Sequence, residues 1–180
     1  MTYRAPLADI GAALRYAAGL PAAIDDGLFG DLTMEDVDAV LAEAVRGAAE
    51  GISPLNRVGD TFGTPFKDGA VTTAPGWKEA YKGWCDGGWN GLAAPAEWGG
   101  QALPQTLSMA CQEMWNSASM GFAVGPLLTI AAVDALYAHG SETLKQTYLK
   151  KLVSGEWTGS MQLTEPQAGS DVGALRTRAE

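Results

Sequence analysis

The chain has little of what most catalytic centres are built from. Its 180 residues hold one histidine, His139, and two cysteines, Cys85 and Cys111. Neither cysteine belongs to a CxxC pair, so no zinc constellation can be assembled and no metal site is expected. No Ser–His or Cys–His arrangement is readable, which argues against nucleophilic catalysis. The lone His139 precedes Gly140 and reads as a helix-capping or surface residue. Basic residues are also scarce: 12 Lys and Arg stand against 21 Asp and Glu, a net charge of −9. That balance excludes a nucleic-acid-binding surface, which needs clustered cations, and it repels an anionic membrane. The amino terminus, Met1 to Pro6, lacks the long apolar run of a secretory signal. The longest apolar stretch, 118–133, is shorter than a bilayer span and is interrupted by Gly121, Gly125 and Pro126. It reads as a buried core helix, and no transmembrane segment is expected. With two unpaired thiols, the expectation is a soluble, cytoplasmic protein.

Apolar residues make up 47% of the chain and charged residues 18%, enough for a sizeable core. The periodicity is mostly helical. Residues 7–19 place Ile10, Leu14 and Ala17 on one face, and Pro21 is read as closing the segment. Residues 24–32 form a Gly- and Asp-rich connection. A helix starts after Thr33, where Asp36 three residues on makes a capping box. Its stripe is Val37, Val40, Leu41, Ala44 and Val45, and Gly51 with Pro54 should end it. Residues 59–76 lack periodicity and predict an ordered loop or extended crossing. A short helix follows Pro75 with Trp77, Tyr81 and Trp84 on one side. Residues 83–103 are irregular, and Trp77, Trp84, Trp89 and Trp98 are expected to pack this region. Three helices follow: one opened by Pro104, one over 121–138 that is apolar nearly all round and therefore central, and one from the N-cap Ser141 to Val153. Met109, Met114 and Met120 read as core filling, with the lining of an apolar tunnel as the alternative.

At Glu156 the pattern changes. EWTGSMQLT alternates with period two, with Trp157, Met161 and Leu163 on one side, which predicts a half-buried strand. Residues from Ala174 to Glu180 read as the start of another extended segment. The expected fold is mainly α, a helical bundle with the start of a β-region. It is divided into an extension over 1–32, a helical domain over 33–155 and the beginning of a β-domain over 156–180.

Thr164-Glu165-Pro166-Gln167-Ala168-Gly169-Ser170-Asp171 carries the most chemical information. A strand end is followed by a Pro turn and Gly-Ser-Asp. Gly169 lets a ligand approach the backbone, Ser170 offers a hydroxyl and an N–H, and Thr164 offers a donor. Such a run can hold a planar heterocycle at one end and a phosphate at the other. An ordinary turn with Asx and Ser caps is the alternative on composition alone.

The run MQLTEPQAGSDVGAL resembles the signature of the acyl-CoA dehydrogenases. Three upstream blocks match in order: Gly88-Trp89-Asn90-Gly91-Leu92, then Pro95 to Gly100, then His139 to Lys145 with Leu152 and Gly155-Glu156. The opening Tyr3-Arg4-Ala5-Pro6-Leu7-x-Asp9 is similar to a longer subgroup that includes 3-methylthiopropanoyl-CoA dehydrogenases. The resemblance implies the N-terminal helical domain of the acyl-CoA dehydrogenase fold, FAD as cofactor and an acyl-CoA thioester as substrate. The reaction implied is α,β-dehydrogenation to the 2-enoyl-CoA. By the same resemblance, Met161, Leu163 and Thr164 hold the flavin pyrimidine edge. Gly169 and Ser170 sit at the FAD pyrophosphate, and Ser170 also touches the CoA arm of the substrate. Gln162 departs from the small residue usual at its position. The family's catalytic base is a carboxylate in a C-terminal helical domain, so no acid in this chain is assigned that role, and Glu165 and Asp171 read as structural. The 180 residues are therefore expected to be an N-terminal fragment, inactive alone. The implied partners are an electron-transferring flavoprotein or similar acceptor and, in the full-length enzyme, further copies in a homo-oligomer. The rival readings are an acyl-CoA oxidase and a non-catalytic helical interaction module.

Overall fold

The computed structural model describes residues 3–178. Helix α1, Leu7–Ala12, runs into a wide π-helical turn, Ala13–Ala17, that stops at Gly19 in the left-handed region (φ +65°). The extra residue in that turn shifts the phase, so Ile10 and Leu14 are buried while Ala17 is exposed. Pro21 does not merely close this segment: it lies in the first turn of α2, Leu20–Asp25, where its missing N–H costs nothing.

Helix α3, Met34–Arg46, has the expected capping box, with the Asp36 N–H donating to Thr33 Oγ1 (3.1 Å) and the Thr33 N–H to Asp36 Oδ2 (2.9 Å). The Thr33 hydroxyl, and after it the Thr33 N–H, donate to the Asp36 carboxylate and hold its pKa below the usual value. Val37, Leu41 and Ala44 are fully buried, while Val40 and Val45 are only half-buried. Gly51 and Pro54 do not end the helical path. A second π-helical turn, Gly47–Ile52, carries the chain into α4, Ser53–Phe62, and Pro54 sits in the first turn of that helix. The predicted loop over 59–76 is correspondingly shorter and contains a hairpin, β1 Phe66–Lys67 paired antiparallel with β2 Ala70–Val71.

Helix α5, Trp77–Asp86, is followed by the irregular segment and then by α6, Gln105–Ala118, α7, Met120–His139, and α8, Glu142–Val153. Ser141 caps α8 through Leu144 N–H (3.4 Å). Helix α7 packs against α4, α6 and α8. Its length and composition are those of a helix able to cross a membrane, and Phe122, Ala123, Pro126, Thr129 and Val133 are buried within the bundle. It is less enclosed than its all-round apolarity predicts. Met120, Val124 and Tyr137 remain exposed because neighbours cover one face only.

The main core joins α1, α3, α5 and α6 through Leu41, Leu107, Met114 and Trp115. Trp115 takes edge-on contacts from Trp84 (4.4 Å between centroids) and Trp89 (5.1 Å), and Phe122 takes one from Trp84 (5.8 Å) and one from Trp77 (5.9 Å). Trp98 packs against the smaller cluster formed by α8 with Val133. The tryptophans thus pack the irregular region, as their clustering predicts. Of the three methionines, Met114 is fully buried, while Met109 and Met120 are exposed.

The half-buried strand over 156–164 is absent. Residues 157–164 have no regular secondary structure, and Trp157, Met161 and Leu163 are all exposed. Alternation supplies a strand's faces but not its neighbour, and no second strand lies alongside among the described residues. In the final segment, Val172–Ala174 form a single 3₁₀ turn and residues 175–178 are irregular. Ala179 and Glu180 lie outside the described residues.

The capping box yields a direct expectation. Thr33→Ala should lower stability by about 1 kcal/mol, read as an earlier urea midpoint at unchanged slope. Thr33→Ser should restore most of it.

Candidate functional site

The residues singled out by sequence lie on the segment that leaves α8. Its path is set by two glycines. Gly155 is buried and left-handed (φ +77°). A Cβ there would lie 2.4 Å from Cys85 Sγ and 2.7 Å from Asn90 Nδ2. Its carbonyl accepts hydrogen bonds from Tyr81 Oη (3.0 Å) and Cys85 Sγ (3.7 Å), both on α5. Burial pushes the pKa of both groups up, which keeps them protonated and able to donate. Asn90 beneath them is held by the Trp84 indole N–H (2.7 Å). Four residues later, Gly159 lies on α7. Its N–H donates to Thr129 Oγ1 (3.1 Å), and a Cβ would meet Ala132 Cβ at 2.7 Å and Leu128 O at 3.3 Å. Between them, Trp157 has the Lys151 ammonium 4.2 Å from its ring centroid and the tilted Tyr148 ring 5.8 Å away.

Beyond Gly159 the chain is different. Residues 160–164 are exposed, and none of their backbone N–H or C=O groups has a hydrogen-bond partner among the described residues. Met161, Leu163 and Thr164 therefore share one run with free backbone groups. Gly169 and Ser170 are brought onto the following turn and are equally exposed. A Cβ at Gly169 would meet no atom within 4 Å, so nothing in the chain's own packing demands glycine there.

Glu165 ties the two parts together. It closes a small turn with Ala168 through backbone bonds of 3.1 and 3.0 Å. Its carboxylate accepts from Arg176 N–H (3.0 Å), Thr177 N–H (2.8 Å), the Thr177 hydroxyl and the Gln167 amide. The Thr177 hydroxyl, then these backbone donors, hold its pKa down at about 2. Asp171 caps the next turn through Gly173 N–H (3.1 Å). Both acids are thus engaged in local structure.

A cavity of about 520 Å³ adjoins the start of this run, lined by Trp77, Tyr81, Phe122, Pro126, Leu128 and residues 158–160. A mostly apolar lining with a few polar groups is the usual make-up of a small-molecule site.

Residues 66–156 match the acyl-CoA dehydrogenase N-terminal domain. The chain belongs to the acyl-CoA dehydrogenase family. It is 42% identical over 179 residues to the 3-methylmercaptopropionyl-CoA dehydrogenase of Ruegeria pomeroyi, covering 99% of this chain and 30% of that protein. It is 34% identical over 148 residues to a butyryl-CoA dehydrogenase of Syntrophomonas wolfei, covering 81% of this chain and 24% of the relative. The chain thus spans less than a third of the length of these relatives. A solved structure described as the electron transferring flavoprotein of Acidaminococcus fermentans shares the fold, with a TM-score of 0.66 and 22% identity over 81% of this chain and 35% of that one.

The family match ends at Glu156, so the anchoring at Gly159 comes from the structure alone. Sequence reasoning overlooked Tyr81 as a donor and Thr129 as an acceptor. One signal for Thr129 was available: it is the only polar side chain between Met120 and Val133.

Two expectations follow. Gly155→Ala combines a strained φ with two close contacts and should cost about 2–5 kcal/mol, measured by denaturant unfolding. The Glu165 bonds respond to acid. Because its folded pKa lies below the ordinary 4.5, their contribution is full above that value and is lost as pH falls toward about 2. Exchange of the Arg176 and Thr177 amides should therefore gain protection-loss in that window beyond the intrinsic trend, and Glu165→Gln should show the loss already at neutral pH.

Proposed function

We propose that the protein carrying this chain is a flavin-dependent dehydrogenase of acyl-CoA thioesters, and that residues 160–170 contribute to its FAD site. The observation that carries this reading is the run 160–164, exposed and with its backbone groups free, held at Gly159 on one side and at the Glu165 turn on the other. A planar heterocycle with alternating donors and acceptors fits such an edge. Met161 and Leu163 would meet it through backbone groups and Thr164 through its hydroxyl. The open approach at Gly169 and the free Ser170 hydroxyl suit the pyrophosphate. When bound, FAD supplies the hydride acceptor. The chain's part would be to present backbone donors, held between the Gly159 anchor and the Glu165 turn, to the side of the flavin where negative charge develops. The cavity lined by Phe122 and Leu128 would shield an acyl chain from water beside this edge. Lys78 in the same lining offers a polar contact toward a thioester arm.

The names of the relatives favour short acyl chains, including the sulfur-containing one. An electron-transferring flavoprotein, or an equivalent acceptor, would complete the cycle in a cytoplasmic homo-oligomer.

Purified whole protein should carry a flavin absorption spectrum. That spectrum should bleach under anaerobic conditions on addition of butyryl-CoA, isovaleryl-CoA or 3-methylmercaptopropionyl-CoA, but not of the free acids. Peroxide release with the same substrates in air would point to an oxidase. Absence of flavin binding and of bleaching with all three thioesters would overturn the proposal.

A further inference from the structure

Thr129 is an unusual residue for its place. Helix α7 is otherwise apolar from Met120 to Val133, and Thr129 is completely buried in it. A β-branched residue has no helix-forming advantage over alanine there, and a buried hydroxyl is costly unless it is bonded. Helical threonines commonly meet this need by turning back to the carbonyl four residues earlier, as Thr147 does to Thr143 (2.7 Å). No such bond is formed by Thr129. Its oxygen faces the segment leaving α8 and accepts the Gly159 N–H at 3.1 Å.

That bond acts at one position along the chain. A Cβ at Gly159 would meet the Ala132 side chain at 2.7 Å and the α7 backbone at Leu128 and Thr129 at 3.3 Å, so only glycine lets the segment come this close to the helix while making the bond. Met161 is two residues further on, within about 7 Å of this anchor even if fully extended.

We propose that Thr129 is a positioning residue for the flavin edge: its hydroxyl fixes Gly159 and thereby places the backbone groups of Met161 and Leu163 for the cofactor. This rests on the FAD reading given above. It assigns to α7 a role distinct from lining the apolar cavity. A residue that served only the bundle would affect the stability of the whole fold. A residue that sets register affects how well the segment meets its ligand.

The test uses the whole protein with Thr129→Val, which keeps shape and removes the acceptor, and Thr129→Ser, which keeps it. FAD is titrated into the apoprotein and followed by flavin fluorescence, with amide exchange over 156–164 measured in parallel. Thr129→Val should weaken FAD binding about 5–10-fold, the loss of one hydrogen bond. It should raise exchange at Gly159 while leaving exchange in α6 and α8 unchanged, and Thr129→Ser should bind FAD within twofold of the unaltered protein. Unaltered FAD affinity in a folded Thr129→Val protein would overturn the positioning role alone. A lowered unfolding midpoint with unaltered FAD affinity would do the same, leaving a purely structural residue. An unaltered protein that takes up no FAD would overturn this inference together with the functional reading beneath it.

Discussion

The course of the chain beyond α8 depends on where it can pass α5 and α7. At Gly155 and again at Gly159 the backbone passes so close to α5 and α7 that a single Cβ would collide. Each close approach is matched by a hydrogen bond to a buried or half-buried side chain, from Tyr81 and Cys85 in one case and to Thr129 in the other. Sterics fix the distance and hydrogen bonds fix the register. Two such points four residues apart leave little freedom in the direction in which the chain continues.

The aromatic core makes those anchors rigid. Tyr81 and Cys85 stand on α5, which is packed down by Trp84 against Trp115 and Phe122. The same Trp84 holds Asn90, whose side chain forms part of the floor under Gly155. Removing the indole would therefore loosen the core and the crossing together. Cys111, at the centre of this packing, has its thiol pushed up to about 12 by burial and serves as a small apolar group. On the far side, the Glu165 turn closes the run without help from the bundle. The result is five residues with free backbone groups suspended between a helical anchor and a turn.

Much of this was legible in the sequence where the cause is local. Capping at Thr33 and Ser141, the starts of α5 and α6 and the packing of the tryptophans follow from short-range chemistry and amphipathic spacing. The errors share a different cause. Pro54 predicts a stop and is a start, because proline suits either side of a helix boundary and only the π-helical turn before it decides. The strand over 156–164 was expected from alternation, yet pairing is non-local and no neighbouring strand is present among the described residues. The apolar face of α7 was expected to be enclosed, but its composition does not say how many neighbours it has. The residues Met161, Leu163, Thr164, Gly169 and Ser170 were picked out by resemblance, and the structure brings them onto one exposed path. Thr129 and Gly159, which hold that path, are separated by thirty positions and were invisible as a pair.

If the free backbone run 160–164 is the binding edge we propose, amide hydrogen exchange across 156–170 in the whole protein, measured with and without saturating FAD, will show it. Protection should rise sharply over 160–164 on binding, while Gly159 stays protected in both states. FAD binding that leaves 160–164 exchanging as fast as before would overturn the proposal.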